Sequence, residues 1–117
     1  MVVSQGELFW VDFGEPRGSE TGYRRPVVVV QNNDITRSKI ETLIVCPLSS
    51  NIRLALSEGN VLLKKGEGNL TKPSVVNVSQ IFTINKIEVG NRIGVLPKMR
   101  VAEIIAGIAA VLRPSIL

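Results

Sequence analysis

Two adjacent arginines end a polar loop and begin an apolar strand. The loop starts at Gly14, and Arg24 and Arg25 are followed directly by Pro26 and four valines. A loop anchored by a rigid strand is a common place for binding groups, and a guanidinium offers a planar fork of donors that matches two phosphate oxygens. This junction therefore indicates a site for an anionic ligand.

A second polar pair, Ser49 and Ser50, follows the strand predicted at residues 42–48. If that strand lies beside the valine strand, one of these hydroxyls lies next to Arg25, and the two groups together would bind a phosphate. The same residues also have ordinary structural interpretations. An arginine at a strand end can be a solvated charge, and a serine there can close a turn, so the residue types alone leave both open.

Composition excludes several kinds of chemistry. Histidine is absent, which rules out Ser/His/Asp and Cys/His nucleophiles and any paired-histidine nuclease. Cys46 is the single cysteine, so an intrachain disulfide or a cysteine zinc cluster cannot form, and its apolar neighbours predict a buried thiol. No metal-binding carboxylate cluster is recognisable, so we expect neither metal nor cofactor. The net charge of +4 mildly favours nucleic acid or another acidic partner.

Short apolar runs predict one mainly β domain over residues 1–117. The run 27–30 is β-branched throughout, as is typical of a strand buried on both faces, and Pro26 would take its first position. Strands of this spacing suggest a compact barrel. The predicted strands are 7–13, 27–30, 42–48, 73–78 and 80–84, with loose alternation at 53–63 around a turn at 58–60.

A C-terminal helix is predicted from apolar residues at helical spacing between Val101 and Leu112, with Arg113 and Pro114 as its stop. The helix is apolar on nearly all sides, which predicts packing against its own barrel and against a second subunit. Its apolar run is too short to span a bilayer, and the N-terminus does not resemble a signal peptide. We therefore expect a cytoplasmic protein without membrane contact.

Three blocks of the chain resemble the MazF/PemK family of toxin endoribonucleases. Between residues 5 and 86 they run, in order, GELFWVDFGEPRGSETGYRRPVVVVQN, IVCPLSS and SVVNVSQIFTINK. The resemblance implies an SH3-like barrel with attached helices, a homodimer, and metal-independent cleavage of single-stranded RNA to 2′,3′-cyclic phosphate and 5′-hydroxyl ends. It also implies a MazE-like antitoxin whose acidic C-terminal segment covers a basic groove.

The resemblance assigns roles by position. Arg25 is the active-site arginine, Ser49 the hydroxyl after the third strand, and Glu20 the acid of the loop. An arginine pKa above about 12 leaves almost no neutral base at pH 7, so Arg25 suits charge stabilisation and Glu20 suits general base. The expected RNA-binding residues are Arg24, Tyr23, Ser50, Gln80, Lys64 and Lys65, with Lys72 as a further steering cation.

Among the aromatic residues, Tyr23 is the one expected to be exposed and to stack on a base. Phe9, Trp10 and Phe13 fall in the first predicted strand, where rings usually pack into the core or against neighbouring strands.

The chain departs from the family pattern at three positions. Arg24 stands where several relatives carry a histidine, Ser79 where others carry an acid, and Phe82 where an arginine is frequent. Two alternatives therefore stay open: a CcdB-like toxin that inhibits gyrase, and a noncatalytic SH3-like binding module or decayed toxin. The Arg-Pro motif followed by the proline and serine of the third strand favours the nuclease.

Overall fold

The fold is given by a computed structural model that describes residues 2–15, 18 and 23–116 of the chain. The described residues form one curled sheet, two α-helices and four short 3₁₀ helices. The strands are β1 (Glu7–Asp12), β2 (Arg24–Val29), β3 (Thr42–Ser49), β4 (Val61–Leu63), β5 (Ser74–Val76), β6 (Phe82–Asn85) and β7 (Arg92–Val95). The α-helices are α1 (Asn33–Thr36) and α2 (Lys98–Leu112), and the 3₁₀ helices are Ile52–Leu56, Glu67–Asn69, Val78–Gln80 and Lys86–Glu88.

The sheet is antiparallel and has the order β4-β5-β3-β2-β1-β7, with β6 paired to β3 beside this path. β3 has three neighbours: β2 along its middle, β6 along its first half and β5 at its last two residues. One long strand shared in this way bends the sheet into a half-barrel. This confirms the prediction of a mainly β, barrel-type fold with a C-terminal helix.

Both faces of β2 are buried, as its valine run predicts. Val28 belongs to the core beneath α2, which includes Ile104 of that helix. Val27 and Val29 belong to a second core on the opposite face, together with Phe9. Alternate side chains of a strand point to opposite faces, so the continuous apolar run supplies both cores.

Cys46 lies in the first core, as its apolar neighbours predict. Burial raises the pKa of its thiol to about 12, so the reactive thiolate is scarce at pH 7.

The start of β2 differs from the prediction. The strand begins at Arg24, so Pro26 is its third residue and lies opposite Trp10 of β1. The ladder with β3 begins only at Val27. Pro26 is therefore in a ladder on one side only, where a strand tolerates a missing N–H.

Two further segments differ from the alternating pattern in the sequence. Residues 52–56 form a 3₁₀ helix that begins after Asn51, whose side chain accepts a hydrogen bond from the Arg53 N–H at 3.2 Å. The turn at 58–60 is confirmed, and β4 follows it. Gln80 ends a 3₁₀ helix and is not the first residue of a strand, because β6 begins at Phe82.

The C-terminal helix packs on the half-barrel through one face. Ile104 is 1% exposed, and Gly107 is buried against the turn that contains Gly59. On the outer face Ile105 is 39% exposed and Leu112 67% exposed. Packing on its own barrel is confirmed, and contact with a second subunit stays a prediction. Within the described residues no helix has the length and hydropathy to cross a membrane.

Candidate active site

A cleft of about 470 Å³ opens at the end of the sheet where β2 begins and β3 ends. Among the described residues that line it, none is acidic, and the cations are Arg24, Arg25, Lys72 and Arg92. The polar groups that line the same cleft are Ser49, Ser50, Asn69, Thr71, Ser74 and Asn91. Several cations beside hydroxyls and amides make this cleft suited to a phosphate-bearing ligand.

Arg25 is positioned by the pairing of β2 with β3, the adjacency on which the phosphate-site hypothesis depends. Val27 lies opposite Pro47, and continuing that register by two residues brings Arg25 opposite Ser49. The Nη1 of the half-buried Arg25 donates to the Leu48 carbonyl at 3.4 Å. The guanidinium thus lies against the end of β3, and Ser49 and Ser50 line the same cleft.

Ser49 closes a turn and also lines the cleft. Its Oγ accepts a hydrogen bond from the Asn51 N–H at 3.1 Å, which is the local bond of a turn serine. The same residue lines the cleft. A hydroxyl that accepts one bond retains its own O–H as a donor, so the turn fixes Ser49 without using up the hydrogen that a phosphate oxygen would accept.

Trp10 is placed differently from the sequence prediction. It is half-buried and lines the cleft, and the Arg24 guanidinium carbon lies 4.1 Å from the centroid of its ring. Trp10 lies opposite Pro26 in the ladder, so Arg24 is its diagonal neighbour. A core position is wrong for this residue, because its side chain lies on the face of β1 that borders the cleft, whereas its neighbours Phe9 and Val11 lie on the opposite face in the second core.

The other two aromatic residues of the first predicted strand do pack internally. Phe9 is buried in the second core. Phe13 lies just beyond β1 and packs against Phe82, with ring centroids 4.9 Å apart. Phe82, which stands where an arginine is frequent in the family, thus has a packing role.

The far wall of the cleft is the segment 69–72, which lies close against β7. The carboxamide nitrogen of Asn69 donates to the Ile93 carbonyl at 3.1 Å. A Cβ added at Gly94 would lie 2.2 Å from the Gly68 carbonyl oxygen. Glycine is therefore needed at position 94 so that the wall can approach β7 so closely.

An ion pair ties this wall to α2. The Nε and Nη2 of Arg100 donate to the two carboxylate oxygens of Glu67 at 2.9 and 3.0 Å. Glu67 also accepts a hydrogen bond from the Lys64 N–H at 2.6 Å. The bonds from Arg100 and from the Lys64 N–H hold the pKa of the Glu67 carboxyl below its usual range. The bonds to Glu67 and Glu103 raise the pKa of Arg100.

We expect Glu67→Gln to lower the free energy of unfolding by about 1 kcal/mol at pH 7, the upper range for a partly exposed ion pair. Because the pKa of the Glu67 carboxyl is lower in the folded state than in the unfolded state, its ion pair stabilises the fold fully at pH values above the ordinary carboxyl pKa. This stabilisation is lost as the pH falls through the pKa of the folded state. The difference between variant and parent should therefore shrink in acid, as measured by urea unfolding across pH. Glu103→Gln, which removes only one bond to Arg100, is the matched control. A pH-independent difference would contradict the assignment.

The remaining predicted RNA-binding residues lie outside the lining of the cleft. Tyr23 is 62% exposed and has a positive φ of 61°, Lys64 and Lys65 are exposed on the loop after β4, and Gln80 is half-buried. Glu20, the expected base, lies outside the described residues, as do residues 16, 17, 19, 21 and 22.

Sequence reasoning missed Asn69, Asn91 and Arg92 as residues of the cleft. Arg92 and Asn91 lie at the start of β7, which was not predicted as a strand. The signal that could have found it is the turn pair Gly90-Asn91, followed after Arg92 by the short run Ile93-Gly94-Val95. Arg92 is held by Glu7, with its Nε 2.6 Å from a carboxylate oxygen.

Comparison with solved structures supports the fold. A MazF from Deinococcus radiodurans superposes with a TM-score of 0.77 at 21% identity, covering 96% of this chain and 97% of that one. An endoribonuclease solved in complex with its cognate antitoxin, from a mycobacterial species, gives 0.72 at 19% identity and covers 99% and 98%.

Comparison with curated sequences extends the likeness beyond the fold. Endoribonuclease MazF6 of Mycobacterium tuberculosis is 39% identical over 112 residues, covering 96% of this chain and 98% of that protein. Endoribonuclease MazF of Staphylococcus epidermidis is 29% identical over 103 residues, covering 88% and 85%. The family model for the PemK-like, MazF-like toxin of type II toxin-antitoxin systems matches residues 4–112. This chain therefore belongs to the PemK-like, MazF-like family of toxins.

Proposed function

We propose that this chain is the endoribonuclease toxin of a type II toxin-antitoxin pair and that it cleaves single-stranded RNA in the cleft at the start of β2. The observation that carries the proposal is that Arg25 and Ser49 line one cleft, whose described lining residues include four cations and no acid. The family membership and the relatives named as endoribonucleases agree with it.

The reaction that these residues suit is a transesterification within the RNA. The 2′-oxygen attacks the adjacent phosphorus and loses its proton to a base, the bond from phosphorus to the 5′-oxygen breaks, and that oxygen gains a proton. The products are a 2′,3′-cyclic phosphate and a 5′-hydroxyl. Because the nucleophile is a hydroxyl of the substrate, no metal-activated water is required.

Arg25 stabilises the charge that builds up on the phosphoryl oxygens as phosphorus becomes five-coordinate. A donor fixed before the reaction is worth most when it points at charge that grows in the transition state, and the bond to the Leu48 carbonyl fixes this guanidinium. The Ser49 hydroxyl donates to a phosphate oxygen or orients the 2′-hydroxyl. Glu20 takes the role of base by its place in the family pattern.

Lys72 and Arg92 extend the cationic lining beyond Arg25 and bind phosphates on either side of the cleavage point. Each phosphate neutralised by a cation releases counterions, which favours binding of a strand of any sequence. The pair of Arg92 with Glu7 orients the guanidinium at the rim.

The partners that fit this surface are an antitoxin and a second copy of the chain. An acidic, flexible antitoxin segment complements the cationic cleft and would block RNA by occupying it. The exposed apolar side of α2, with Ala102, Ile105 and Ala109, is the surface for a homodimer. The RNA target places this activity in the cytoplasm.

The test is to incubate the purified protein with single-stranded RNA in EDTA and to map both ends of each product. We expect cleavage at a short recurring motif, with cyclic phosphate on one side and 5′-hydroxyl on the other, at the same rate with and without EDTA. An activity abolished by EDTA would contradict the mechanism. No cleavage of any RNA by folded protein would favour the binding-module or decayed-toxin alternative instead.

A further inference from the structure

We propose that Trp10 and Arg24 together form a stacking platform for one nucleobase of the RNA, next to the phosphate held by Arg25 and Ser49. The inference rests on the proposed function, since it requires RNA in the cleft, and it assigns to this pair the choice of base beside the cleavage point. Arg24 is the residue that touches the base, and Trp10 positions it.

Hydrogen bonds hold the backbone of Trp10 in place. Trp10 donates its backbone N–H to the Asn91 carbonyl at 3.0 Å and accepts from the Gly90 N–H at 2.8 Å. A Cβ at Gly90 would lie 2.6 Å from the Trp10 carbonyl oxygen, so the backbone at position 90 is seated directly against Trp10. The backbone that carries the indole is therefore held at the rim of the cleft by β1 and by the turn before β7.

The Arg24 guanidinium lies over this fixed ring at 4.1 Å from its centroid. Arginine groups stack on aromatic faces, and the contact limits the rotamers that the long side chain can adopt. Arg24 is itself exposed and lines the cleft. A flat cation held on one side by an indole presents its other side to a ligand, and guanidinium planes stack readily on unpaired RNA bases.

Two amide side chains line the same cleft, and their hydrogen-bonding groups could recognise the edge of such a base. Asn69 and Asn91 both lie among its lining residues, and Asn69 is held by its bond to the Ile93 carbonyl. A carboxamide both donates and accepts hydrogen bonds and can read the edge of a base. Arg24 and Arg25, adjacent in the chain, would then bind a base and a neighbouring phosphate.

The test uses short 2′-O-methyl oligonucleotides, one for each base, and an abasic strand of equal length and charge. Methylation removes the nucleophile, so binding is measured without cleavage. Trp10 is the only tryptophan of the chain, and its fluorescence reports on the platform directly. We expect saturable quenching by at least one base-bearing strand, and much less quenching by the abasic strand at equal occupancy, measured by anisotropy of labelled strands.

Arg24→Lys is the matched variant, because it keeps the charge and loses the planar group. We expect it to weaken binding of the preferred base-bearing strand about tenfold, from the usual contribution of one stacked base, with little change for the abasic strand. Trp10→Phe should keep most of the affinity and Trp10→Leu should lose it, with thermal unfolding confirming that each variant is folded.

Two results would overturn the platform. One is an equal loss of affinity for base-bearing and abasic strands in Arg24→Lys, which would make Arg24 a simple charge. The other is unchanged Trp10 fluorescence at saturation with all base-bearing strands. Either can occur while wild-type protein still cleaves RNA, so failure of the platform is distinguishable from failure of the proposed nuclease.

Discussion

Replacement of Arg25 by alanine should lower kcat for RNA cleavage by about 100- to 1,000-fold, the usual cost of losing one preorganised donor to transition-state charge. The guanidinium is half-buried, bonded to the Leu48 carbonyl and placed beside Ser49. An alanine leaves the phosphoryl oxygens without this donor, and the remaining cations of the cleft are not held at the same point. Single-turnover cleavage of one RNA with mapped ends gives the value.

Two variants control this experiment. Arg37→Ala removes the same charge from an exposed position that does not line the cleft, and it should cleave at nearly the wild-type rate. Arg25→Lys keeps the charge but loses the fork, so its rate should fall between those of wild type and Arg25→Ala. Thermal unfolding of Arg25→Ala should match the parent. A folded Arg25→Ala protein with near-normal kcat would remove Arg25 from the mechanism.

Gly107→Ala should destabilise the fold by about 2 kcal/mol, although alanine is the better helix former by about 1 kcal/mol. A Cβ at Gly107 would lie 2.0 Å from the Gly59 carbonyl oxygen, and a Cβ at Gly59 would lie 2.7 Å from the Gly107 carbonyl oxygen. Both obstacles are backbone atoms, so relief requires that α2 move off the turn. Urea unfolding at fixed protein concentration measures the difference.

Ala109→Gly provides the comparison within the same helix. Its position is exposed in a single copy of the chain and lies on the proposed homodimer surface. Both variants are therefore compared at protein concentrations at which the chain is monomeric, where the change should cost only the helix propensity, about 1 kcal/mol. We expect Gly107→Ala to be destabilising as well, although alanine has the higher helix propensity. If Gly107→Ala proved as stable as the parent or more so, the close contact between α2 and the turn at Gly59 would not exist in solution.

The strands that could be predicted are those whose burial produces a local run or alternation of apolar residues. The valine run is apolar at every position because β2 has a core on each face, and the helix after residue 98 has its stop at Arg113 and Pro114. β7 could not be found in the same way. It has only four residues, two of them exposed, and its pairing partner β1 lies at the other end of the sequence.

The residues of the candidate site could likewise be predicted only where they belong to predictable strands. Arg24, Arg25, Ser49 and Ser50 belong to two strands that are predictable neighbours, and the cleft brings them together. Lys64, Lys65 and Gln80 were chosen for residue type or family position, and they lie elsewhere on the surface. The sequence does not show which ring of β1 borders the cleft, because Trp10 lies on one face of the strand and Phe9 and Val11 on the other, and only the fold decides which face is covered.

The pairing of β1 with β7 also bears on when the cleft can exist. Trp10 and Arg24 lie in the first quarter of the chain. Their cleft also needs Asn91 and Arg92, and the backbone bonds that hold Trp10 form only when the segment before β7 has been made. A chain interrupted during synthesis before residue 95 would carry both arginines of β2 but lack one side of the cleft. The RNA cleft can therefore form only after β7 has been synthesised and has paired with β1.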